Sequence, residues 1–374
     1  MLILEKGSPA SISLDAIRGL SALLVVLGHV RLMLIVDTSQ VQEMTALTKL
    51  FYFLTNQGSS AVMVFFVLSG FLVGSSVIKD IHFKRWNWLV YVVARTSRIY
   101  VVLIPAIIIG ITIDIAGIHF FGSSIVYSTP GYGVMLPKHI LSNITPEIIV
   151  GNLFFLQEIL VPTLGSNHPL WSLTNEVWYY IIFPFMVVAI IGCTQIHMRF
   201  FCGIFVIIAL FLLPNKVATL FLVWLMGGVV ALIPKLKVHK WHTVLVGLIL
   251  FCWLAMQSMK LVNGSAYVTG LLTASLVYCF ILQPPFSIPL ILERTIKWLS
   301  NISYTLYLTH TPLVVFLAAT LIAKGPKMQP TITGVGLTFL LTIIMLVYAS
   351  ILWFFFEKRT KDVKKWVIKM MGIT

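Results

Sequence analysis

The chain alternates long apolar runs with short polar breaks, and the length of the runs decides what they are. Runs of near-spanning length fall at about 14–35, 60–78, 99–118, 176–192, 200–213, 217–233, 243–258, 265–283, 302–323 and 332–356. About twenty apolar residues, rising about 1.5 Å each in a helix, cross the roughly 30 Å of a bilayer's hydrocarbon. The pattern therefore predicts an all-α, polytopic membrane helical bundle of about ten transmembrane helices. The first run, Leu14 to Val30, reads LDAIRGLSALLVVLGHV and carries polar residues in register. On a helix Asp15, Arg18, Ala22 and His29 fall close to one face, because separations of three, seven and eleven residues approximate whole turns. Arg18 and His29 then stand roughly 16 Å apart along the axis, able to meet two ends of one extended ligand but not each other.

The breaks between runs are short, with one exception at about 119–175, which is rich in Gly, Pro, Ser and Thr. Its apolar piece, 148–160, is too short to span comfortably and includes Glu158, so an interfacial or re-entrant segment is expected there, forming a lid or a floor for a site at the outer face. The N-terminal MLILEKGSPAS lacks a charged segment ahead of a cleavable apolar one, so the first run is expected to be retained as a span. From about 357 the tail, EKRTKDVKKWVIKM, predicts an interfacial helix held by anionic membrane lipids, with a partner-binding helix as the alternative. No pair of half-chains shows matching broken helices, and residues 1–374 read as a single integral-membrane domain.

Composition excludes a water-soluble globule: 59% of residues are hydrophobic, 10% are charged, and the mean hydropathy is +0.99. The net charge of +14 would fit nucleic acid, but its placement argues for no nucleic acid. With the N-terminus cytoplasmic, most of the 26 basic residues gather on one side, at Lys6, Lys79, Lys84, Arg85, Arg95, Arg98, Arg199, Lys235, Lys237, Lys240, Arg294, Lys297 and the tail. The positive-inside rule then puts both termini in the cytoplasm, with an even number of spans, in the cell inner (cytoplasmic) membrane. Lys138 and Lys324 are among the few on the other side. Cys193, Cys202, Cys252 and Cys279 have no CxxC spacing and read as small core residues, with neither a disulfide framework nor a metal site indicated.

Ionisable groups inside spans are costly and are functional candidates by default, which leaves Asp15, Arg18, His29, Asp114, Glu176, His310 and Glu357. Each has a plainer reading: Asp15 and Arg18 pairing at a helix start, Asp114 lining a polar cavity, Glu357 facing water, His310 as a hydrogen-bonded core residue. The topology brings His29 and Glu176 to the same depth, and a carboxylate beside an imidazole fixes the tautomer that a general base needs. At the inner side Arg18, with Arg95 and Arg98 in ARTSRIY, forms a cationic rim suited to phosphate, against the plainer reading of ordinary positive-inside residues. Phosphates at one end and a reactive group about three turns deeper match the shape of acyl-coenzyme A.

LDAIRGLSALLVVLGH (14–29), VFFVLSGFLVG (64–74), ARTSRIY (94–100), LWSLTNEVWYYIIFP (170–184) and SYTLYLTHTP (303–312) together make the chain resemble the acyltransferase family 3 membrane proteins. The resemblance implies a ten-helix bundle that transfers an acyl group, usually acetyl, from cytoplasmic acetyl-CoA to a hydroxyl of an envelope or secreted carbohydrate. Position by position it implies catalytic roles for His29 and Glu176 and donor binding by Arg18, Arg95, Arg98 and His310. Ser69 and Tyr304 are expected as possible donors to the oxyanion. Two readings from other classes stay open, a proton-coupled transporter and a structural membrane subunit, as does a different acyl donor or a non-glycan acceptor.

Overall fold

The computed structural model describes residues 4, 7–129, 132, 136–137, 139–192, 195–283, 288–322 and 325–372. Lys6, Lys138, Cys193 and Lys324, weighed above for charge and thiol chemistry, lie outside these residues. The described chain is helical, with two isolated β-bridges, Ile35 to Met328 and Gln157 to Val161. The helices are α1 (Pro9–Leu34), α2 (Ala46–Thr55), α3 (Gly58–His82), α4 (Trp88–Phe121), α5 (Ile125–Ser128), α6 (Pro146–Leu153), α7 (Leu170–Ile191), α8 (Ile196–Leu212), α9 (Asn215–Val230), α10 (Lys240–Ser258), α11 (Ala266–Leu282), α12 (Leu290–Ile322), α13 (Ile332–Phe355) and α14 (Thr360–Met370).

Among the described residues seven helical stretches are long and apolar enough to cross a membrane: Pro9–Leu34, Ala46–His82, Trp88–Phe121, Leu170–Ile191, Lys240–Ser258, Leu290–Ile322 and Ile332–Met370. Three further apolar helices, α8, α9 and α11, have 17, 16 and 17 residues. At about 1.5 Å per residue they reach roughly 25 Å, short of the hydrocarbon thickness, so length and composition support seven spans where the apolar runs mark ten. The outward faces are apolar. Phe211 is 86% exposed, and α10 presents Val244, Leu245, Leu248, Ile249 and Phe251 to its surroundings. Such faces suit lipid and not water. The chain is a multi-pass membrane protein.

The helices group into two compact units. Unit 1 comprises Met1–Ser21, Ser59–Trp88 and Asn175–Ser300, and unit 2 comprises Ala22–Gly58, Leu89–Thr174 and Asn301–Thr374. In unit 1, α3 and α9 touch backbone to backbone. A Cβ at Gly70 would lie 1.9 Å from the Trp224 carbonyl oxygen, and one at Gly227 would lie 1.9 Å from that of Val67. Lipid tails are as apolar as leucine, so membrane helices associate where small residues let their surfaces meet this closely. Phe71 and Trp224 are fully buried beside the contact, and Trp224 packs against Phe183 at 4.8 Å between ring centroids.

In unit 2 the end of α1 is clamped by donors from three other segments. Tyr52 Oη donates to the Val36 carbonyl (2.6 Å), Tyr132 Oη to that of Met33 (3.1 Å), Lys327 Nζ to that of Leu32 (2.8 Å) and the Met328 N–H to that of Leu34 (2.8 Å). Those of Leu32, Met33 and Leu34 are carbonyls a helix leaves unpaired at its C-terminus, and that of Val36 lies just beyond it. Burial pushes the Tyr132 hydroxyl up to about 12 and pulls the Lys327 ammonium below the usual lysine value, with Asp37 acting in the opposite sense on the lysine. The 148–160 piece forms α6 and then a tight turn, with Phe155 and Glu158 at positive φ. Asn152, fully buried, ties it down through the carbonyls of Ile148 and Pro162 and the N–H of Leu164.

Candidate active site

His29 lies on the penultimate turn of α1 and His310 on α12, both in unit 2. His29 Nδ1 and His310 Nε2 are 2.8 Å apart, and the rings stack at 5.0 Å between centroids with 27° between planes. The hydrogen positions follow from the far end of the chain of bonds. His310 Nδ1 lies 2.8 Å from the carbonyl oxygen of Leu306, which can only accept, so Nδ1 carries a hydrogen. In a neutral ring the other nitrogen then accepts, so His29 Nδ1 is the donor and His29 Nε2 holds a lone pair. Among the described residues no hydrogen bond reaches that Nε2. His310 is fully buried, whereas His29 keeps part of its surface open.

The residues around His310 are built for this geometry. Pro312 lacks an N–H, which leaves the carbonyl of Leu308, four residues earlier, without its helical partner. Asn167 Nδ2 fills the gap at 2.9 Å. Thr311 Oγ1 lies 3.2 Å from His310 Nε2, and Tyr307 Oη lies 2.7 Å from Ser172 Oγ.

Glu176, on the first turns of α7 in unit 1, has partners of its own. Its Oε1 accepts from Ser69 Oγ at 3.0 Å and from the Tyr180 hydroxyl, and Trp224 Nε1 donates to Ser69 Oγ at 3.2 Å. Ser69, expected as an oxyanion donor, thus spends its hydrogen on Glu176. The nitrogen of His29 that an orienting group must hold is taken by His310.

Arg18, also in unit 1, pairs with Asp15 at 2.8 Å, and its Nε donates to Ser300 Oγ at 2.9 Å while that hydroxyl donates to Asp15 at 2.8 Å. In unit 2 the Arg98 guanidinium stands 3.8 Å from Glu357 and over the ring of Tyr304 at 5.6 Å, and Arg95 lies over Tyr91 at 5.5 Å. The Arg98 side chain is 47% exposed. Glu357 does not face water: it is buried and accepts from the Thr305 N–H (3.2 Å) and hydroxyl (2.6 Å). Among the described residues no cluster of His, Cys, Asp and Glu could hold a metal ion.

The motifs that supply these residues are those of one family. The family model described as an acyltransferase domain matches residues 11–356, nearly the whole chain. The chain belongs to acyltransferase family 3. No curated protein and no solved structure matches it in the other two comparisons. For this membrane acyltransferase the geometry brings together His29 with His310, Arg98 with Glu357, and Glu176 with Ser69. It leaves Arg18 in unit 1 and Arg95 and Arg98 in unit 2. Sequence reasoning passed over Asn167, Ser166 and Thr305. For Asn167 a signal was present, because a proline inside a spanning helix announces a carbonyl in need of a donor.

Proposed function

We propose that this family member is a membrane O-acyltransferase that moves an acyl group, acetyl in the first instance, from cytoplasmic acyl-CoA to a hydroxyl of an envelope or secreted carbohydrate. The observation that carries the reading is the His29 ring, with Nδ1 committed to His310 and Nε2 left as an acceptor, the state a general base requires. His29 Nε2 removes the proton of the acceptor hydroxyl as its oxygen bonds to the thioester carbonyl carbon. The carbon–sulfur bond then breaks and the imidazolium returns the proton to the departing thiolate, so ester and free thiol form with no net proton released. His310 is a positioning residue in this scheme: both its nitrogens are engaged, and it acts through His29. Arg95 and Arg98 receive the donor's phosphates through charge-assisted hydrogen bonds, and Arg18 is assigned the same chemistry. Glu176 holds the hydroxyls of Ser69 and Tyr180 in place.

Ten spans with both termini in the cytoplasm, in the cytoplasmic membrane, complete the reading. The helices α8, α9 and α11 cross as short spans, a mismatch that bilayers accommodate by thinning at a cost of fractions of a kcal/mol per Å. The test is the ester-linked acyl content of envelope and secreted glycans from cells making the protein, cells lacking it, and cells making His29→Ala at matched membrane abundance. Acyl groups present only with the unaltered protein support the reading, and full acylation with His29→Ala removes it. A route through an acyl-His29 intermediate uses the same nitrogen, and ping-pong kinetics would reveal it.

A further inference from the structure

The segment from Thr163 to Ser172, which runs from the connection ahead of α7 onto its first turn, is fastened at three places within unit 2. Asp114, a carboxylate on α4 that is only 2% exposed, accepts from the Ser166 N–H at 2.8 Å and from the Ser166 hydroxyl at 2.6 Å. Gly165 precedes it at φ +54°, and a Cβ there would lie 2.3 Å from Asp114 Oδ2, so only glycine lets the turn close on the carboxylate. The second fastening is Asn167, whose amide reaches the Leu308 carbonyl that Pro312 leaves unpaired. Ser172 with Tyr307 is the third.

His168 lies between these anchors, next in sequence to the residue bonded to the α12 turn just ahead of His310. Its own backbone is held on both sides, the N–H donating to the Ser166 carbonyl at 2.9 Å and the carbonyl accepting from Trp171 at 3.1 Å. The residue is half-buried. A third imidazole is therefore carried by the segment that Asn167 bonds to the α12 turn just ahead of His310. No step of the proposed transfer uses it.

We propose that His168 is an acceptor-binding residue that hydrogen-bonds a hydroxyl of the incoming carbohydrate and so sets which of its hydroxyls reaches His29 Nε2. The inference rests on the acyltransferase reading and adds the residue that selects the acceptor position. A polyol presents many hydroxyls of similar reactivity, so selection among them needs a fixed partner. Neutral imidazole offers one donor and one acceptor, which matches a hydroxyl in either sense. A site built to bond a hydroxyl also discriminates far more strongly than an apolar pocket. The triple fastening fits this role, since regioselectivity demands a ring held in one place.

The test compares unaltered protein, His168→Ala, His168→Gln and His29→Ala, all full length and at matched membrane abundance. Two quantities are read: the amount and ring position of O-acyl groups on glycans released from the producing cells, and thiol release from acetyl-CoA by the purified protein with water as the only acceptor. With His168→Ala, transfer falls by at least about tenfold or moves to another hydroxyl, as expected when about 1.4 kcal/mol or more of hydrogen bonding is lost, while thiol release stays within about twofold. His168→Gln, which keeps a donor and an acceptor, recovers part of the transfer at the original position. Unchanged amount and position with His168→Ala overturns the proposal, and so does a parallel fall in transfer and thiol release, which marks a structural role. Full transfer by His29→Ala overturns the general-base reading instead, whatever His168 does, so the two failures are distinct.

Discussion

Two polar clusters sit within the apolar helices of this protein, and they are wired differently. In unit 2 the bonds run in a line: the Leu306 carbonyl takes a hydrogen from His310, His310 takes one from His29, and the line stops at His29 Nε2. In unit 1 the bonds converge: Trp224 donates to Ser69, and Ser69 and Tyr180 both donate to one oxygen of Glu176. Both clusters contain residue types that do acid–base chemistry. What separates them is where the donors run out. A line that stops at an unbonded nitrogen offers a lone pair to a substrate, whereas a convergent set spends its hydrogens internally and fixes three helices to one another.

The sharpest way to break that contrast is to remove the open nitrogen. His29→Ala should reduce acyl transfer by about 10²–10⁴-fold, measured as labelled acyl incorporation in membranes, because a positioned general base contributes about that much and nothing else in the line can stand in. His310→Gln should come next. Losing the partner that fixes the His29 tautomer should cost about 10–100-fold in kcat with little change in donor KM, by analogy with groups that orient metal-bound histidines. Gly70→Ala addresses the other cluster through its frame. The methyl has no room against the Trp224 carbonyl, so the α3–α9 contact should open at a cost of about 1–3 kcal/mol, seen as a lower melting temperature in detergent. The smallest effect is expected for Glu176→Gln, where the amide oxygen still accepts both hydroxyls and transfer should fall only about two- to fivefold. A loss with Glu176→Gln as deep as that with His29→Ala would erase the contrast between the two clusters.

Much of the helix inventory was legible in the apolar runs: α13 spans Ile332–Phe355 against an expected 332–356, and α11 spans Ala266–Leu282 against 265–283. The mismatches have one cause. Hydropathy marks the part of a helix that lipid or core surrounds, not where its hydrogen bonding ends. Helix α4 begins at Trp88, well before the run at 99, because Arg95 and Arg98 are good helix formers, and α12 begins at Leu290 through Glu293 and Lys297 for the same reason. Lys297 and Glu293 even pair along the helix.

The candidate side chains were also legible one by one, since an ionisable group in a span announces itself. Their partners were less so. Depth put Glu176 level with His29, but depth says nothing of rotation about a helix axis, on which the bond from His29 to His310 depends. Asp114 stood out, but its purpose did not, because Ser166 is 52 residues away and carries no sign of its own.

The separation between the two histidines, 281 residues, sets a clock on biogenesis. At synthesis rates of about 5–20 residues per second, α1 waits roughly 14–56 s in the translocation machinery or the bilayer before the turn carrying His310 has been made. Throughout that interval the nascent chain holds an imidazole with neither its partner nor a fixed tautomer. The line from Leu306 through His310 to His29 closes only when α12 arrives, so under the proposed mechanism a chain arrested before that point lacks its oriented base, and activity is expected as a late checkpoint of assembly.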